Sequence, residues 1–592
     1  MKKFLLFSLL VTLSLSILGQ EKKSVVVKDI SYAKNAVDTL YTNDIKATIF
    51  PQNLQFADAY SGSFSLGYFY PADSPTSTLF TYGLWIGGND SDGNLHIAAE
   101  TFRQQGEDFW SGPLSDDGLA TTDLANSENW FRSWKVDREE IIAHIANYQD
   151  TNYLMPEAIE NWPAHGDANL NQADFLAPFV DMDGDLEYHP ELGDYPFIKG
   201  DQTIFFIYND QLEHTETEGE ALGVEIHCMA WAVNDVKNTE AYNSTMFFSY
   251  KFFNRSSDTY YDTYIGTFAD MDIGNAIDDY VGCHVENGNF FGYNGDDFDE
   301  DNNETIGYGA NIPTQSITIL GGPFMDDDNI DNPLGECNES INGAGFGDGI
   351  IDNEMYGMNR FVYFNNDGSP IGNPQTAPDH YNYMRGLWKD GNSIIYGGNG
   401  YSSNGGGTAA RFMYPGESDP CNWGTNGLAT DIWTEETEGN TPDDRRGLAS
   451  MGPFTFEAGS VHYLDIAMVT APGDAGKNSK DLVQDYIAQI KQDYLVNPST
   501  FGNQYVGLND DINKQEQLLV YPNPVVGDII NFELAQAQKA EYYIYNAAGQ
   551  IVYKGTLAAQ KQQSINIGQL NSGWYILELK TEEQVLRSKI IK

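Results

Sequence analysis

The chain has 592 residues, of which 86 are Asp or Glu and 32 are Lys or Arg, so its formal net charge is -54. This charge argues against nucleic acid as a partner, because a nucleic-acid binder must neutralise phosphates with Lys or Arg. A hydrophobic content of 41%, with 13% aromatic residues, excludes a globally disordered chain, and 58 Gly with 23 Pro favour a turn-rich β architecture.

Residues 1–19 have the pattern of a secretory signal peptide. Lys2 and Lys3 precede an apolar run over residues 4–18, and Gly19 is a small residue at the expected cleavage point. The apolar run is shorter than the roughly 20 residues that a membrane-spanning helix needs. Because no other long apolar stretch follows, we expect a mature chain without a transmembrane segment.

Residues 20–496 are predicted to form the body, a large, loop-rich antiparallel β-sheet or sandwich with a few helices. The body is either one unit or two subdomains that divide near residue 215. One helix is predicted after Asp137, with Glu140 completing a capping box, and another from Ser479. Each has an apolar stripe that is expected to face the core: Ile141, Ile142 and Ile145 in the first, and Leu482, Val483, Tyr486, Ile487, Ile490 and Tyr494 in the second. The predicted strands are rich in β-branched and aromatic residues and cover 203–208, 224–233, 246–253, 263–268, 360–364 and 460–469.

Carboxylates are clustered in Gly- and Asn-rich loops of the body. A first cluster of candidate metal ligands consists of Asp181, Asp183, Asp185, Glu187 and Asp194, and a second of Asp270, Asp272, Asp278 and Asp279. Further acidic groups lie at 296–301, 326–331 and 348–354.

These clusters predict structural calcium sites. Two ionised carboxylates about 4 Å apart repel by roughly 4 kcal/mol at an effective dielectric constant of ~20. Convergence therefore requires a cation, a proton or backbone donors. Ca²⁺ fits because it accepts several oxygens in flexible geometry. The alternative is that the clusters are solvated turns, since Asp-Gly and Asn-Gly favour turns without an ion.

The four cysteines permit two disulfides in an exported chain. Pairing neighbours in sequence would join Cys228 to Cys283 and Cys337 to Cys421. The alternative is four buried free thiols, because a chain of this size does not need covalent bridges to be stable.

Residues 497–517 are polar and contain Pro and Gly, so they are predicted to be a linker. Residues 518–592 are predicted to form a separate small Ig-like β-sandwich, because short alternating runs are separated by turn formers. Between residues 512 and 592 there are eight Lys or Arg against seven Asp or Glu, so this end is nearly neutral in a strongly acidic chain.

Four motifs in this terminal segment resemble the type A C-terminal sorting domain of the type IX secretion system. They are 519–524 (LVYPNP), 544–550 (IYNAAGQ), 570–575 (LNSGWY) and 587–592 (RSKIIK). The resemblance implies recognition by the type IX machinery at the outer membrane, followed by release or by attachment to surface lipopolysaccharide. It therefore predicts a secreted or cell-surface protein.

Segments of the body resemble uncharacterised secreted proteins that carry the same tail. They are 83–88 (GLWIGG), 161–166 (NWPAHG), 193–196 (GDYP) with 200–202 (GDQ), 278–283 (DDYVGC) and 397–401 (GGNGY). This resemblance implies no activity.

No zinc-protease, serine-hydrolase, phosphate-loop or Cys-x-x-Cys motif occurs in the sequence. We therefore expect a non-catalytic, calcium-stabilised protein of adhesion or surface interaction. The alternative is a secreted carbohydrate-binding or glycan-hydrolysing protein. Its sugar platforms would be exposed aromatic residues such as Trp85, Trp110, Trp388 and Trp433.

Overall fold

A computed structural model of the chain describes residues 36–592 with internal gaps. The gaps are 57–66, 103–105, 235–239, 303–304, 405, 474–477, 504–519, 522–524, 526–528, 547–550, 571–573 and 582–584. The predicted signal peptide and most of the predicted linker lie outside the described residues.

Strands make up 37% of the structure and helices 15%, which confirms the mainly β prediction. The strands are β1 (Asp38–Leu40), β2 (Lys46–Ile49), β3 (Tyr68–Phe69), β4 (Ser77–Leu79), β5 (Thr81–Asn89), β6 (Leu95–Ala98), β7 (Trp110–Ser111), β8 (Trp134–Asp137), β9 (Phe179–Val180), β10 (Tyr195–Pro196), β11 (Gln202–Asn209), β12 (Val224–Ala232), β13 (Thr245–Asn254), β14 (Tyr260–Asp270), β15 (Asp279–His284), β16 (Asn289–Asn294), β17 (Thr314–Gly321), β18 (Arg360–Asn365), β19 (Arg445–Phe456), β20 (Val461–Ala471), β21 (Val520–Tyr521), β22 (Ile529–Asn546), β23 (Ile551–Asn566), β24 (Trp574–Lys580) and β25 (Val585–Ile591).

The helices are short except for the last one. They are α1 (Leu124–Trp130), α2 (Arg138–Asn147), α3 (Glu157–Glu160), α4 (Glu240–Asn243), α5 (Ala377–Met384), α6 (Glu435–Glu438) and α7 (Ser479–Val496). Both predicted helices are confirmed as α2 and α7. The Glu140 carboxylate accepts a hydrogen bond from the Asp137 backbone at 3.0 Å, as the capping box requires.

Two antiparallel sheets form the centre of the body. A nine-stranded sheet has the order β15-β16-β17-β20-β13-β12-β11-β7, with β8 also paired to β11, and a five-stranded sheet has the order β18-β19-β14-β5-β6. The nine-stranded sheet runs across position 215, because β11 pairs with β12 from Gln202 opposite Ala232 to Asn209 opposite Glu225. Smaller sheets are β1-β2-β3-β4 and β9-β10.

Side chains of the nine-stranded sheet alternate between two cores. On β12, Ile226 and Cys228 pack into a core shared with the five-stranded sheet, which supplies Trp85 and Phe268. Met229 and Trp231 face the other way, into a second core. Alternation along a strand sends successive side chains to opposite faces, so a sheet covered on both faces is apolar throughout.

Helix α7 covers the second face of the nine-stranded sheet. Its residues Val483, Ile487 and Ile490 are buried and pack in the same core as Phe247 and Val469 of the sheet. The 3.6-residue helical period places these side chains on one stripe. The predicted apolar face of α7 is therefore a packing surface.

The terminal segment forms its own antiparallel sheet, in the order β21-β22-β24-β25 with β23 also paired to β22. Its core includes Phe532, Ile544, Leu577 and Ile590. Among the residues that the structure describes, no helix combines the length and apolar character needed to span a bilayer.

One of the two predicted disulfides is present. Cys337 and Cys421 are bonded, with their Cα atoms 5.6 Å apart. The predicted Cys228–Cys283 bond is wrong, because both residues are buried free thiols. They lie on β12 and β15, which four strands separate in the nine-stranded sheet. At ~4.8 Å between neighbouring strands, they are on the order of 24 Å apart, far beyond disulfide reach.

Candidate metal centres

The first candidate centre is the loop of residues 181–185, here called the outer loop. One carboxylate oxygen each from Asp181, Asp183 and Asp185 lies within 4.8 Å of the others. Asp183 and Asp185 are exposed and Asp181 is half-buried. The alternate carboxylates of the sequence therefore converge on one side of the loop, as predicted.

Backbone hydrogen bonds hold the outer loop in shape. Asp181 accepts bonds from the backbone nitrogens of Gly184 at 2.6 Å and Leu186 at 2.8 Å. Both of these residues have left-handed backbone conformations, with φ of 81° at Gly184 and 74° at Leu186. This conformation costs Gly little but is uncommon for a bulky residue. The two bonds provide a local reason for the strained turn at Leu186.

Two of the predicted ligands lie outside this group. Asp194 is fully buried, and its carboxylate accepts bonds from the backbone nitrogens of Met182 at 2.7 Å and His189 at 2.8 Å. Burial raises the pKa of Asp194. The bond from Met182 fixes the outer loop to the buried Asp194 carboxylate. Glu187 also lies outside the group of converging oxygens.

Two imidazoles lie near carboxylates of the outer loop and of the residues that follow it. His189 Nε2 lies 3.8 Å from Asp185 Oδ2, and His165 Nε2 lies 3.9 Å from Glu187 Oε2. Within the described part of the chain, no Lys or Arg forms an ion pair with the three converging carboxylates.

The second candidate centre consists of Asp270, Asp272 and Asp444, here called the interior triad. Each residue offers one carboxylate oxygen, and these oxygens lie within 4.8 Å of one another. Asp270 ends β14, Asp272 follows it, and Asp444 immediately precedes β19. The pairing of β14 with β19, in which Asp270 lies opposite Arg446, brings these distant parts of the sequence together.

Arg446 is the counter-charge of the interior triad. Its Nη2 donates to Asp270 Oδ2 at 3.3 Å, and its Nη1 forms an ion pair with Asp444 Oδ1 at 2.7 Å. The guanidinium also lies over the Phe102 ring, 4.9 Å from its centroid. One guanidinium facing three carboxylates leaves an excess of negative charge.

Two carboxylate oxygens of the triad lack a partner. Among the described residues, neither Asp270 Oδ1 nor Asp272 Oδ1 has a hydrogen-bond donor, and both atoms are inaccessible to solvent. Burial raises the pKa of Asp270 well above its usual range. Burial and then the negative charge of Asp444 raise the pKa of Asp272 to about 7. Buried polar atoms are normally hydrogen-bonded, so these oxygens are exceptional.

The other two predicted ligands of this cluster face different partners. Asp279 accepts a bond from the Ile273 backbone nitrogen at 2.8 Å, and Asp278 accepts one from the Asn275 amide at 3.0 Å. Burial raises the pKa of Asp278 to about 6. Neither residue belongs to the converging group. Asp444, in contrast, is a member that the sequence pattern did not reveal.

Two of the remaining acidic segments are joined to each other by hydrogen bonds from backbone nitrogens to carboxylates. Asp331 accepts bonds from the backbone nitrogens of Gly347 and Gly349, both at 2.9 Å. Asp352 accepts from Asp328 and Asn329 at 2.9 and 2.8 Å. In these segments backbone donors therefore offset part of the carboxylate charge.

The proposed aromatic sugar platforms are mostly buried. Trp85, Trp388 and Trp433 lie in the main core, and their indole nitrogens donate to the backbone oxygens of Glu100, Gly400 and Gly398, respectively. Trp110 is half-buried. The prediction that the first three serve as platforms is wrong, because their hydrophobic area is used in packing.

The comparisons with known proteins address the terminal segment. The family model described as "Secretion system C-terminal sorting domain" matches residues 519–592. This segment is a type IX secretion C-terminal sorting domain. The match confirms the resemblance carried by the four terminal motifs. The sorting domain marks the chain as a secreted or cell-surface protein that is exported by the type IX system.

The comparisons leave the body unassigned. No curated protein matches the chain. A solved structure described as a polysaccharide lyase is similar over 62% of this chain and 34% of that chain, at 6% identity and a TM-score of 0.17. The chain thus spans about a third of the length of that structure. A TM-score this low does not establish a common fold.

Proposed function

We propose that this exported protein is a non-catalytic surface protein whose outer loop binds Ca²⁺ and which acts in adhesion or another surface contact. The convergence of Asp181, Asp183 and Asp185 within 4.8 Å carries the proposal. Ca²⁺ takes oxygen ligands in flexible geometry, and an exposed loop leaves room for water to complete its coordination.

The same part of the chain supports a role in surface contact. Several apolar side chains between α1 and β11 are exposed, and Leu154 is 89% exposed. The others include Leu170, Met182, which lies in the outer loop, and Leu192, which follows it in the sequence. Exposed apolar groups near a polar ion site are suited to contact with another surface.

Calorimetry and ion counting on the mature chain test the calcium proposal. After treatment with a chelator, adding Ca²⁺ should raise the Tm, because binding to the folded state alone stabilises it. The double variant Asp181→Asn/Asp183→Asn should bind one ion fewer per chain than wild type. Asp174→Asn, an exposed carboxylate in the same region, is the matched control and should bind as wild type does. Equal ion counts in the double variant and the control would contradict the proposal.

The contact role is tested on cells. Cells that export the Asp181→Asn/Asp183→Asn variant should attach to surfaces less well than cells that export the Asp174→Asn control at equal surface abundance. Equal attachment by both strains would remove the link between the outer loop and adhesion.

Attachment to surface lipopolysaccharide is a further proposal that follows from the sorting-domain family. It predicts that the exported body stays with washed cells and migrates as a high-mass species until the polysaccharide is removed. Recovery of all of the protein from the medium at the mass of the unmodified body would contradict it.

One observation favours the carbohydrate alternative. A cavity of about 220 Å³ is lined by Tyr396, Phe412, Glu417, Asp419 and Asp431, among other residues. Small-molecule sites usually measure roughly 300–1,000 Å³, so this cavity suits at most one sugar ring. An aromatic ring can stack on a sugar ring, and a carboxylate can accept hydrogen bonds from sugar hydroxyl groups.

A glycan array tests this alternative. Binding by wild type that is lost in Tyr396→Ala, and kept in Tyr401→Ala as a second tyrosine variant, would support the cavity as a sugar site. An array without binding, together with no hydrolysis of common polysaccharides, would remove the carbohydrate alternative.

A further inference from the structure

The interior triad lies where the chain passes from one sheet to the other. Strand β14 belongs to the five-stranded sheet and β15 to the nine-stranded sheet, and residues 271–278 connect them. Asp270 and Asp272 lie at the start of this crossover, and Asp444 approaches from the segment before β19. An ion shared by the three carboxylates would fasten the crossover to the start of β19.

The electrostatics of the triad favour a further positive charge. The Asp270 side chain is 2% exposed and the Arg446 side chain is 5% exposed, so neither is well solvated. Arg446 approaches Asp270 Oδ2 and Asp444 Oδ1, while Asp270 Oδ1 and Asp272 Oδ1 remain buried and unpaired in the described structure. Burying an ionised carboxylate that has no charge partner costs free energy, because no interaction offsets its lost hydration.

The geometry points to a divalent, oxygen-preferring cation bound by Asp270, Asp272 and Asp444, and we propose that it is Ca²⁺. Three ionised carboxylates beside one guanidinium would carry two net negative charges, which such an ion neutralises. The ligand set has no His or Cys, which disfavours zinc and copper. This interior ion is distinct from the ion proposed for the outer loop, and it does not depend on an adhesive role.

The proposal assigns different tasks to the four residues. Asp270 and Asp272 contribute the unpaired oxygens, and Asp444 brings a third oxygen from the neighbouring segment. Arg446 is a positioning residue, because its contacts orient the Asp270 and Asp444 carboxylates toward the shared point. Main-chain carbonyls or water would complete the coordination, as in other Ca²⁺ sites.

The decisive experiment uses the mature chain with the outer loop disabled by Asp181→Asn/Asp183→Asn. After chelator treatment and titration with Ca²⁺, native mass spectrometry should find one tightly bound ion per chain. Adding Asp272→Asn should remove that ion, because Asn keeps the side-chain shape and lacks the charge. Adding Asp443→Asn should not, since Asp443 is an exposed carboxylate next to Asp444 and outside the triad.

Each outcome decides between the two sites. An outer-loop variant that binds no Ca²⁺ overturns the interior site, whatever wild type does. Equal binding by the Asp272→Asn and Asp443→Asn additions also overturns it. One bound ion fewer in the Asp181→Asn/Asp183→Asn variant than in wild type reports on the outer loop alone. The interior site is judged by the ion that this variant keeps.

Hydrogen exchange gives a second measurement that needs no triad variant. In the outer-loop variant, Ca²⁺ should slow amide exchange in residues 271–279 and around residue 444, because the ion joins these segments. If acid alone protects these segments and Ca²⁺ does not, the carboxylates share a proton and the metal proposal fails.

Discussion

Glu216 is a carboxyl group enclosed in the protein interior. It is 4% exposed, and its Oε1 accepts a bond from the Thr101 hydroxyl at 2.7 Å. Its Oε2 has no hydrogen-bond partner among the described residues. Burial, followed by the negative charges of Glu100 and Asp108, raises the pKa of Glu216 to about 8. The side chain is therefore protonated near neutral pH.

This protonation predicts a loss of stability in alkaline solution. The pKa of Glu216 in the folded chain lies above its ordinary value of 4.5. Its stabilising contribution is therefore complete below that value and is lost as the pH rises through about 8. We expect the Glu216→Gln variant to show a smaller fall in Tm than wild type between about pH 6 and about pH 9. The exposed Glu213→Gln is the control, and an equal fall in all three proteins would contradict the prediction.

The two free thiols give a second prediction at this scale. Cys228 and Cys283 are buried, and burial raises the pKa of both thiols well above the usual range. Since the thiolate is the reactive form, neither should react with an alkylating reagent in the native protein. Mass spectrometry should show two modified cysteines only after unfolding without reduction. Four or no modified cysteines would contradict the observed bonding.

At the scale of the element, helix α7 shows how far an apolar stripe predicts packing. Val483, Ile487 and Ile490 are buried, as the 3.6-residue period indicates. The same reasoning is less successful for α2, where Ile141 is buried but Ile142 is exposed. When only a narrow stripe of a helix packs against the core, the position next to that stripe is exposed to solvent. The helical period does not predict how wide the buried stripe is.

The α7 contact predicts a contrast within one helix. Truncating Ile487→Ala should lower the free energy of unfolding by about 2–5 kcal/mol, because it removes buried methyl groups from a packed core. Leu495→Ala should change it by less than about 0.5 kcal/mol, since Leu495 is 46% exposed. Urea unfolding of both variants tests this, and similar losses in the two would contradict the described packing.

The disulfide Cys337–Cys421 is a second element-scale link, since it joins two loops that are 84 residues apart in sequence. We expect the double variant Cys337→Ser/Cys421→Ser to lose about 2–4 kcal/mol of stability, because closing a long loop lowers the entropy of the unfolded chain. Comparing its unfolding with that of the reduced wild type separates the effect of the bond from that of the substitution. A variant as stable as oxidised wild type would contradict this prediction.

Strand positions were predictable from the sequence, but strand partners were not. Alternating β-branched and aromatic residues located β11, β12, β13 and β20 closely. Their order in the sheet depends on which distant segments meet, and no local pattern records it. For this reason Cys228 and Cys283 were wrongly paired. Asp444 was missed for the same reason, since it joins Asp270 only through the pairing of β14 with β19.

At the scale of the whole molecule, the domain that directs export and the folded body occupy different parts of the chain. The sorting domain at residues 519–592 has its own core and its own sheet. The two main cores of the body consist of residues before β21. Removing the sorting domain should therefore change where the protein goes while leaving the body folded.

Cell fractionation tests this separation. We expect a chain that lacks residues 519–592 to accumulate inside the cell envelope with the same protease-resistant body as wild type. A reporter that carries the predicted signal peptide, residues 1–19, and residues 518–592 should reach the medium or the cell surface. Normal export of the shortened chain would contradict the role assigned to the domain.

The centre of the nine-stranded sheet has a consequence for biosynthesis. Strand β20 lies between β13 and β17 and pairs with both, although it comes last of the three in the chain. Before residues 461–471 are synthesised, β13 and β17 each have an unpaired strand edge. Unpaired edges of apolar strands are prone to aggregation. Long-range pairing of this kind also slows folding. Chains that end before β20 should therefore be more prone to aggregation than the complete body, because the edges of β13 and β17 stay unpaired.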